Sequence, residues 1–267
     1  MHSFSIIVVS YNTKKNFIKT LNSIKKQTYK KYEIIVIDGF STDGTAALIR
    51  KNKNKKIRFL IEKDSGIYDA MNKGIKKIKN EWTLFLNSGD VFKDNRVLKR
   101  VNNNIDKKDD IVFGNTIINN TGLFYYNLSN FFNNLTLQMP FCHQSVFTRT
   151  ELLKKNKFNL DYKICSDFDF YVNLYKKKKI NFKKLKINIS IIASGGISDS
   201  SRFRVFYENY KILKKNKLLN GKLFLLLILF FNIIFTKLFK IVLPSIIIFK
   251  LLKIKYKNLM INQRYGQ

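Results

Sequence analysis

"YEIIVIDGFSTDGTAALIRK", residues 32–51, runs from a β-rich apolar stretch through a carboxylate and a polar turn into apolar positions at helical spacing. That order is one strand-to-helix step of an α/β sheet, with Asp38 at the strand's carboxyl end. The Ser and Thr ahead of the helical segment supply candidate caps for its first amides.

Working outward, the same step recurs on both sides. "FSIIVV" is followed by a stripe of Phe17, Leu21 and Ile24, "IRFLIE" by a helix expected from about Ile67 to Lys79, and "WTLFLN" by a polar turn. The alternation predicts a parallel sheet with crossover helices, whose ligands collect beyond the carboxyl ends of its strands. After about Asp110 it loosens into "IVFGNTIINNTGLFYYN", read as strands or a hairpin. An aromatic-rich stretch up to Pro140 then reads as the wall of a second substrate's pocket.

The chain of 267 residues suffices for one large domain with an appendage, and 45% hydrophobic residues exclude a disordered protein. A formal charge of +32, from 50 basic and 18 acidic residues, favours anionic partners: nucleic acid, anionic lipid or phosphorylated substrates. Charge alone does not choose among them, and Lys-Asn-Ile runs such as "RKNKNKKI" are also what AT-rich coding produces. Cys142 and Cys165 stand alone without CxxC spacing, which argues against a disulfide framework or zinc site and suits a reducing compartment. "MHSFSIIVVSYN" has no basic leader and reads as a first buried strand, so export is not expected.

From about Leu218 the composition turns apolar, interrupted by Lys237, Lys240 and Pro244 and basic at its end with Lys250 and Lys253. The longest charge-free run, Leu223 to Thr236, is shorter than the roughly 20 residues of a spanning helix. Helices lying in a membrane interface are expected, with short tilted spans or a buried core hairpin as the alternatives.

Acids sit at or just after strand ends at Asp38, Asp64 ("EKDSGIYDAMNKG") and Asp90 ("LFLNSGD"), and later at Asp167 ("KICSDFDF"). Each alone is a common turn or cap residue; several at successive strand ends point to a nucleotide or a cation held against phosphates. With "SIIVVSYN" and "FCHQSVFTR" these segments, over residues 3 to 200, resemble glycosyltransferase family 2, and most closely its bacterial surface-polysaccharide enzymes.

The resemblance implies an α/β GT-A fold, a Rossmann-like mixed sheet flanked by helices, over residues 1–217. About 1–110 would bind the nucleotide sugar and about 111–217 would form the acceptor side, with 218–267 a membrane-associating, apolar-basic helical tail. Ser10, Tyr11 and Asn12 would border the nucleotide, Asp38 would face its base or ribose, Asp64 would complete the pocket, and Asn72 and Lys73 would lie along the donor or its phosphates. The family often has two acids where this chain has Asp38 and Gly39. Of the family's Asp-x-Asp metal motif "NSGD" keeps Asp90, implied to hold Mg²⁺ or Mn²⁺. Asp167 is implied as general base, with Asp169 its rival and Ser166 where a Glu is usual. His143 and Gln144 would contact acceptor, phosphate or metal, or be structural. Arg202 and Arg204, on a Gly-containing loop, would close over phosphates or be solvated.

The reaction so implied is metal-dependent, inverting transfer of a sugar from a nucleotide-sugar donor, a UDP-sugar first among them, to a lipid-linked saccharide. The enzyme would be cytoplasmic and peripheral on the inner, anionic face of the membrane. A dinucleotide-dependent oxidoreductase is disfavoured because neither G-x-G-x-x-G nor a P-loop follows a strand. A specific nucleic-acid binder is disfavoured because the lysines are scattered outside any recognisable module. An inactive family member serving as a scaffold is the remaining alternative, given the thinned metal motif.

Overall fold

The computed structural model describes residues 1–133 and 136–261, except the side chains at 240, 241, 245 and 246. Residues 262–267 of the expected tail and the Lys240 side chain therefore lie outside the described residues. The first half is β1 (Phe4–Ser10), α1 (Lys14–Lys25), β2 (Tyr32–Asp38), α2 (Thr45–Lys51), β3 (Ile57–Ile61), α3 (Ile67–Ile75) and β4 (Trp82–Phe85). There follow β5 (Val91–Phe92), α4 (Val97–Asn104), the hairpin β6 (Ile111–Asn120) and β7 (Leu123–Asn127), a 3-10 turn at His143–Ser145, and β8 (Val146–Arg149). The chain continues through α5 (Thr150–Lys155), α6 (Ser166–Lys176), β9 (Phe182–Ala193), α7 (Ile197–Ser200), α8 (Arg202–Lys215), α9 (Leu223–Val242) and α10 (Ser245–Lys255).

The strands lie in the order β3-β2-β1-β4-β8-β6-β9-β5, with β7 paired to β6. β1 to β4 are mutually parallel, as the alternation predicts, while β8 runs antiparallel to both β4 and β6, so the whole sheet is mixed. Every residue of β1 is buried because both faces are covered. Phe4, Ile6 and Val8 pack with Phe17, Leu21 and Ile24 of α1 and Leu98 of α4. Ile7 and Val9 pack on the opposite face with Met71 and Ile75 of α3 and with α6 and α8. Strands covered on both faces read as continuous apolar runs, which is how they appear in the sequence. Gly74 lets α3 sit directly on β1, since a Cβ there would meet Ile7 Cγ2 at 2.8 Å.

Two local expectations change. Neither Ser41 nor Thr42 caps α2; Gly44 precedes it at φ +92°, and Asp43 Oδ1 accepts from Thr45 N and Oγ1. α3 stops at Ile75 rather than Lys79, where Lys77 N turns back to Gly74 O.

The tail forms two helices. Leu226 and Ile233 of α9 are buried and Phe230 packs on Phe203 and Phe206 of α8. On the other side Phe224, Leu227, Phe231, Phe235, Leu238 and Val242 are exposed at helical spacing, and Ile247, Leu251 and Ile254 continue the pattern on α10. No helix among the described residues is long and apolar enough to cross a membrane. Beyond α10 the chain returns to the sheet: Ile261 N donates to Phe124 O and the Tyr256 ring stacks on Tyr125 at 4.0 Å.

Candidate active site

The ends of β1 and β2 are in register, Ser10 beside Asp38. Asp38 is fully buried: its carboxylate accepts from Ser10 Oγ, Ser41 N and Ser41 Oγ. It therefore braces the loop instead of facing a base or ribose, the place expected for it. Ser41 Oγ in turn accepts from Asn12 N, and Asn12 Oδ1 from Thr42 N, which locks the Tyr11–Asn12 turn to the loop after β2. Asn12 and Phe40 sit at φ 50° and 69°. Asn tolerates that left-handed conformation; for a Phe it is strained, and such strain gathers at binding sites. Tyr11 and Phe40 stand exposed at the rim.

Asp64 occupies the ground beside Gly39. A Cβ on Gly39 would stand 2.6 Å from Asp64 Oδ2 and 3.1 Å from the Tyr11 ring, so the missing second acid leaves a cradle that Asp64 fills. Two other residues expected along the donor's path are engaged elsewhere. Asn72 is buried with both side-chain atoms on the Phe158 backbone, and Lys73 Nζ is held by Glu62 and Asp69.

The "NSGD" turn is fixed by Gly89 N donating to Thr20 Oγ1 of α1. Asp90 is buried with one side-chain partner, Gln144 Nε2 at 3.1 Å, and burial pushes its pKa up to about 6. Asn87 Oδ1 and Ser88 Oγ in the same turn are buried without partners among the described residues. Buried oxygens left unpaired beside a buried acid suit a hard cation. Among the described residues no group of three or more His, Cys, Asp and Glu gathers into a metal site, so any ion there would rest on mixed oxygens.

Asn87 of that turn and Gln144 line a cavity of about 450 Å³, which Asp167, opening α6, also lines. Its Oδ1 accepts from Phe168 N and shares, at 2.9 Å, the Tyr68 hydroxyl whose shorter bond is to Ile164 O, and its Oδ2 lies 3.0 Å from His143 Nδ1. His143 Nε2 lies 3.3 Å from Asn87 Nδ2. With the ring proton on Nδ1, Nε2 accepts from that amide, and Asn87 Oδ1 is left facing the turn. A carboxylate offers about four lone-pair directions, so Asp167 keeps one open on Oδ2. Asp169, the rival base, faces α8 instead: it is buried, its nearest cation is Lys215 at 3.8 Å, and burial raises its pKa.

Glu208 of α8 holds this arrangement from behind. Its buried carboxylate accepts from the consecutive amides of Lys163, Ile164 and Cys165, at 3.1, 2.9 and 3.0 Å, and those bonds lower its pKa. Arg204 pairs with it at 3.0 Å. Arg202 and Arg204 thus lie on a helix rather than a loop and border a different cleft, between α8 and α9. Arg149 pairs with Glu81 and lies over Trp82. Tyr68, Asn87, Phe40 and Glu208 were not singled out in the sequence. The Tyr in "SGIYDAMNKG" carried a weak signal, whereas nothing local marks Glu208.

A mixed sheet with parallel β1 to β4, acids at its strand ends and an acid-bearing turn after β4 has the architecture of a glycosyltransferase of GT-A type. The family model described as "Glycosyl transferase family 2" matches residues 5–182, and the chain belongs to that family. It is 29% identical, over 74% of its length and 79% of the relative's, to the "PGL/p-HBAD biosynthesis glycosyltransferase" of Mycobacterium tuberculosis. Its fold matches S. aureus TarS 1-349 in complex with UDP-GlcNAc, with TM-score 0.61 and 24% identity over 83% of this chain and 68% of that one. It also matches mannosyltransferase PcManGT from Pyrobaculum calidifontis in complex with GDP-Man and Mn2+, with TM-score 0.61 and 17% identity over 80% of this chain and 64% of that one. The chain covers 40% of the longer TarS chain.

Proposed function

We propose that this enzyme transfers one sugar, with inversion, from a nucleotide-sugar donor to a lipid-linked saccharide at the cytoplasmic face of the membrane. The observation that carries the reading is the arrangement of two acids around one cavity: Asp167 lines it with one lone pair open, and Asp90, buried beside unpaired oxygens, is bonded to Gln144 of its wall. Tyr11 and Phe40 offer aromatic faces to a nucleobase, and Asp64 beside Gly39 offers a carboxylate to the nucleoside. UDP-GlcNAc bound to TarS supports a UDP-sugar as first choice of donor.

Asp167 Oδ2 takes the proton of the acceptor hydroxyl as it attacks, with Tyr68 and His143 fixing the carboxylate. Asp90, with Asn87 and Ser88, would hold Mg²⁺ or Mn²⁺. When bound, such an ion stabilises charge on the departing nucleoside diphosphate. Mn2+ beside GDP-Man in PcManGT supports the same choice of ion.

Attachment to the membrane rests on the outward apolar stripes of α9 and α10, with Lys237, Lys250 and Lys253 among them. Residues 1–217 form the catalytic unit in this reading and the remainder the attachment.

The test is release of nucleoside diphosphate from a panel of UDP-, GDP- and dTDP-sugars with Mg²⁺ or Mn²⁺. Activity with at least one donor, abolished by Asp90→Ala, is expected. No release from any donor would favour the inactive scaffold. Flotation with liposomes of varied anionic content tests the tail; protein left in the soluble fraction at every composition would remove the membrane from the reading.

A further inference from the structure

The α8–α9 cleft has a chemistry of its own. It holds about 450 Å³ and is bordered by Arg202, Arg204 and Lys237, by the hydroxyls of Ser200, Ser201 and Thr236, and by one carboxylate, Asp199. Arg204 is drawn toward Glu208, but Arg202 reaches Thr236 Oγ1 only at 3.4 Å and Lys237 lies over the Phe203 ring at 5.5 Å. Asp199 is already engaged by Gly195 N at 2.8 Å. Two cations and several hydroxyls thus border one space without a strong anionic partner among the described residues.

The position of the cleft narrows what would fill it. On one side, Ile197, Ser198 and Val205 of the same α7–α8 segment line the cavity that holds Asp167. On the other, α9 continues from Lys237 into the exposed stripe of Phe231, Phe235 and Leu238. A ligand here meets cations at one end and an uncovered apolar ridge at the other, beside the reaction site.

We infer that the α8–α9 cleft binds the phosphate of a membrane lipid, with Arg202 and Lys237 on the phosphate oxygens and the lipid's chain along α9. The inference deepens the lipid-linked reading of the acceptor and rests on it: a phosphate held here would present the sugar attached to it toward Asp167. An apolar ridge alone would bind detergents and lipids regardless of headgroup, and exposed lysines alone would bind any anion. Their adjacency predicts a ligand that needs both.

Binding of monododecyl phosphate to the full chain below its micellar concentration, measured by titration calorimetry, tests this without any acceptor. Dodecyl phosphate is expected to bind at least tenfold tighter than inorganic phosphate and than dodecyl maltoside. The double variant Arg202→Gln, Lys237→Gln should weaken it at least tenfold with an unchanged melting temperature. Lys250→Gln, Lys253→Gln, which removes equal charge from α10, should leave it as it was. Equal affinity for inorganic phosphate would make this a free-anion site, and equal affinity for the maltoside would make it a bare apolar face. An equal loss in the α10 pair would make the effect bulk charge. Each of those results overturns the inference. If dodecyl phosphate binds as expected while short soluble saccharides are glycosylated as well as lipid-linked ones, the cleft stands and the acceptor reading falls.

Discussion

Gly39 and Asp64 exclude one another's side chains, since a Cβ on the glycine would lie 2.6 Å from the acid's Oδ2. The contact is with the far end of a movable side chain, so the fold can accept a methyl there by turning Asp64 away. Gly39→Ala should therefore leave the melting temperature within a few degrees of wild type and weaken nucleotide binding about tenfold or more, read by titration with UDP. Unchanged affinity would remove Asp64 from the nucleoside pocket.

Asp90 gives a prediction in which stability and activity move in opposite directions. Its pKa near 6 exceeds the unfolded value of 3.8, so the folded protein favours the neutral acid and bears a penalty once the group ionises. That penalty is fully present above about pH 7, on the order of 2–3 kcal/mol, and absent below about pH 4. Metal-free Asp90→Asn should accordingly melt higher than wild type at pH 8 and equally at pH 4, while transfer is lost because an amide is a poor ligand for a hard cation. Melting curves at the two pH values, in chelator, check the first half. Retained metal-dependent activity would remove Asp90 from the role of ligand.

Asp167→Asn should keep donor affinity and lose transfer by about a hundredfold or more, because the amide preserves shape and removes the proton acceptor. Calorimetry with the donor separates this from misfolding. Should Asp169→Asn be the inactive variant instead, the base has been assigned to the wrong acid.

Glu208 does not line the cavity, yet its carboxylate anchors three amides immediately before α6. Glu208→Ala should cost about 2–4 kcal/mol, the scale of losing bonds to a buried charge. It should lower turnover more than donor affinity, because Asp167 loses its support. Its depressed pKa makes that stabilisation present above the ordinary Glu range and lost as pH falls below it. Wild type and variant should therefore converge in stability toward acid.

The fold was legible where burial writes itself into sequence. The runs at 4–10 and 32–38 are continuously apolar at their centres, residues 6–9 and 34–37, because both faces of β1 and β2 are covered, and Phe17, Leu21 and Ile24 announce the inner face of α1. The antiparallel insertion of β8 was not legible, since "VFTR" is short and its partners are distant in the chain. Asp90 and Asp167 stood out because they follow recognisable segments, and the structure brings Asp167 to the cavity and Asp90 to Gln144 in its wall. Position was not readable for Asp38, Asn72 and Lys73, whose local sequence fits a ligand contact although Ser41, Phe158 and Glu62 engage them. For Asn72 the partner, Phe158, lies far along the chain; for Asp38 and Lys73 the partners Ser41 and Asp69 are near in sequence, but periodicity does not record them.

The return of the chain after α10, where Ile261 donates to Phe124 and Tyr256 lies flat on Tyr125, ties the far end of the two apolar helices to the same body that α8 anchors at the near end. Helices secured at both ends cannot trail like a tether. An enzyme resting on a bilayer through them would ride at a set height and tilt, its cavity mouth at a constant distance from the surface. Acceptors would then be sorted by reach as well as by chemistry: a sugar too close to its lipid, or too far along a growing chain, would not come level with Asp167.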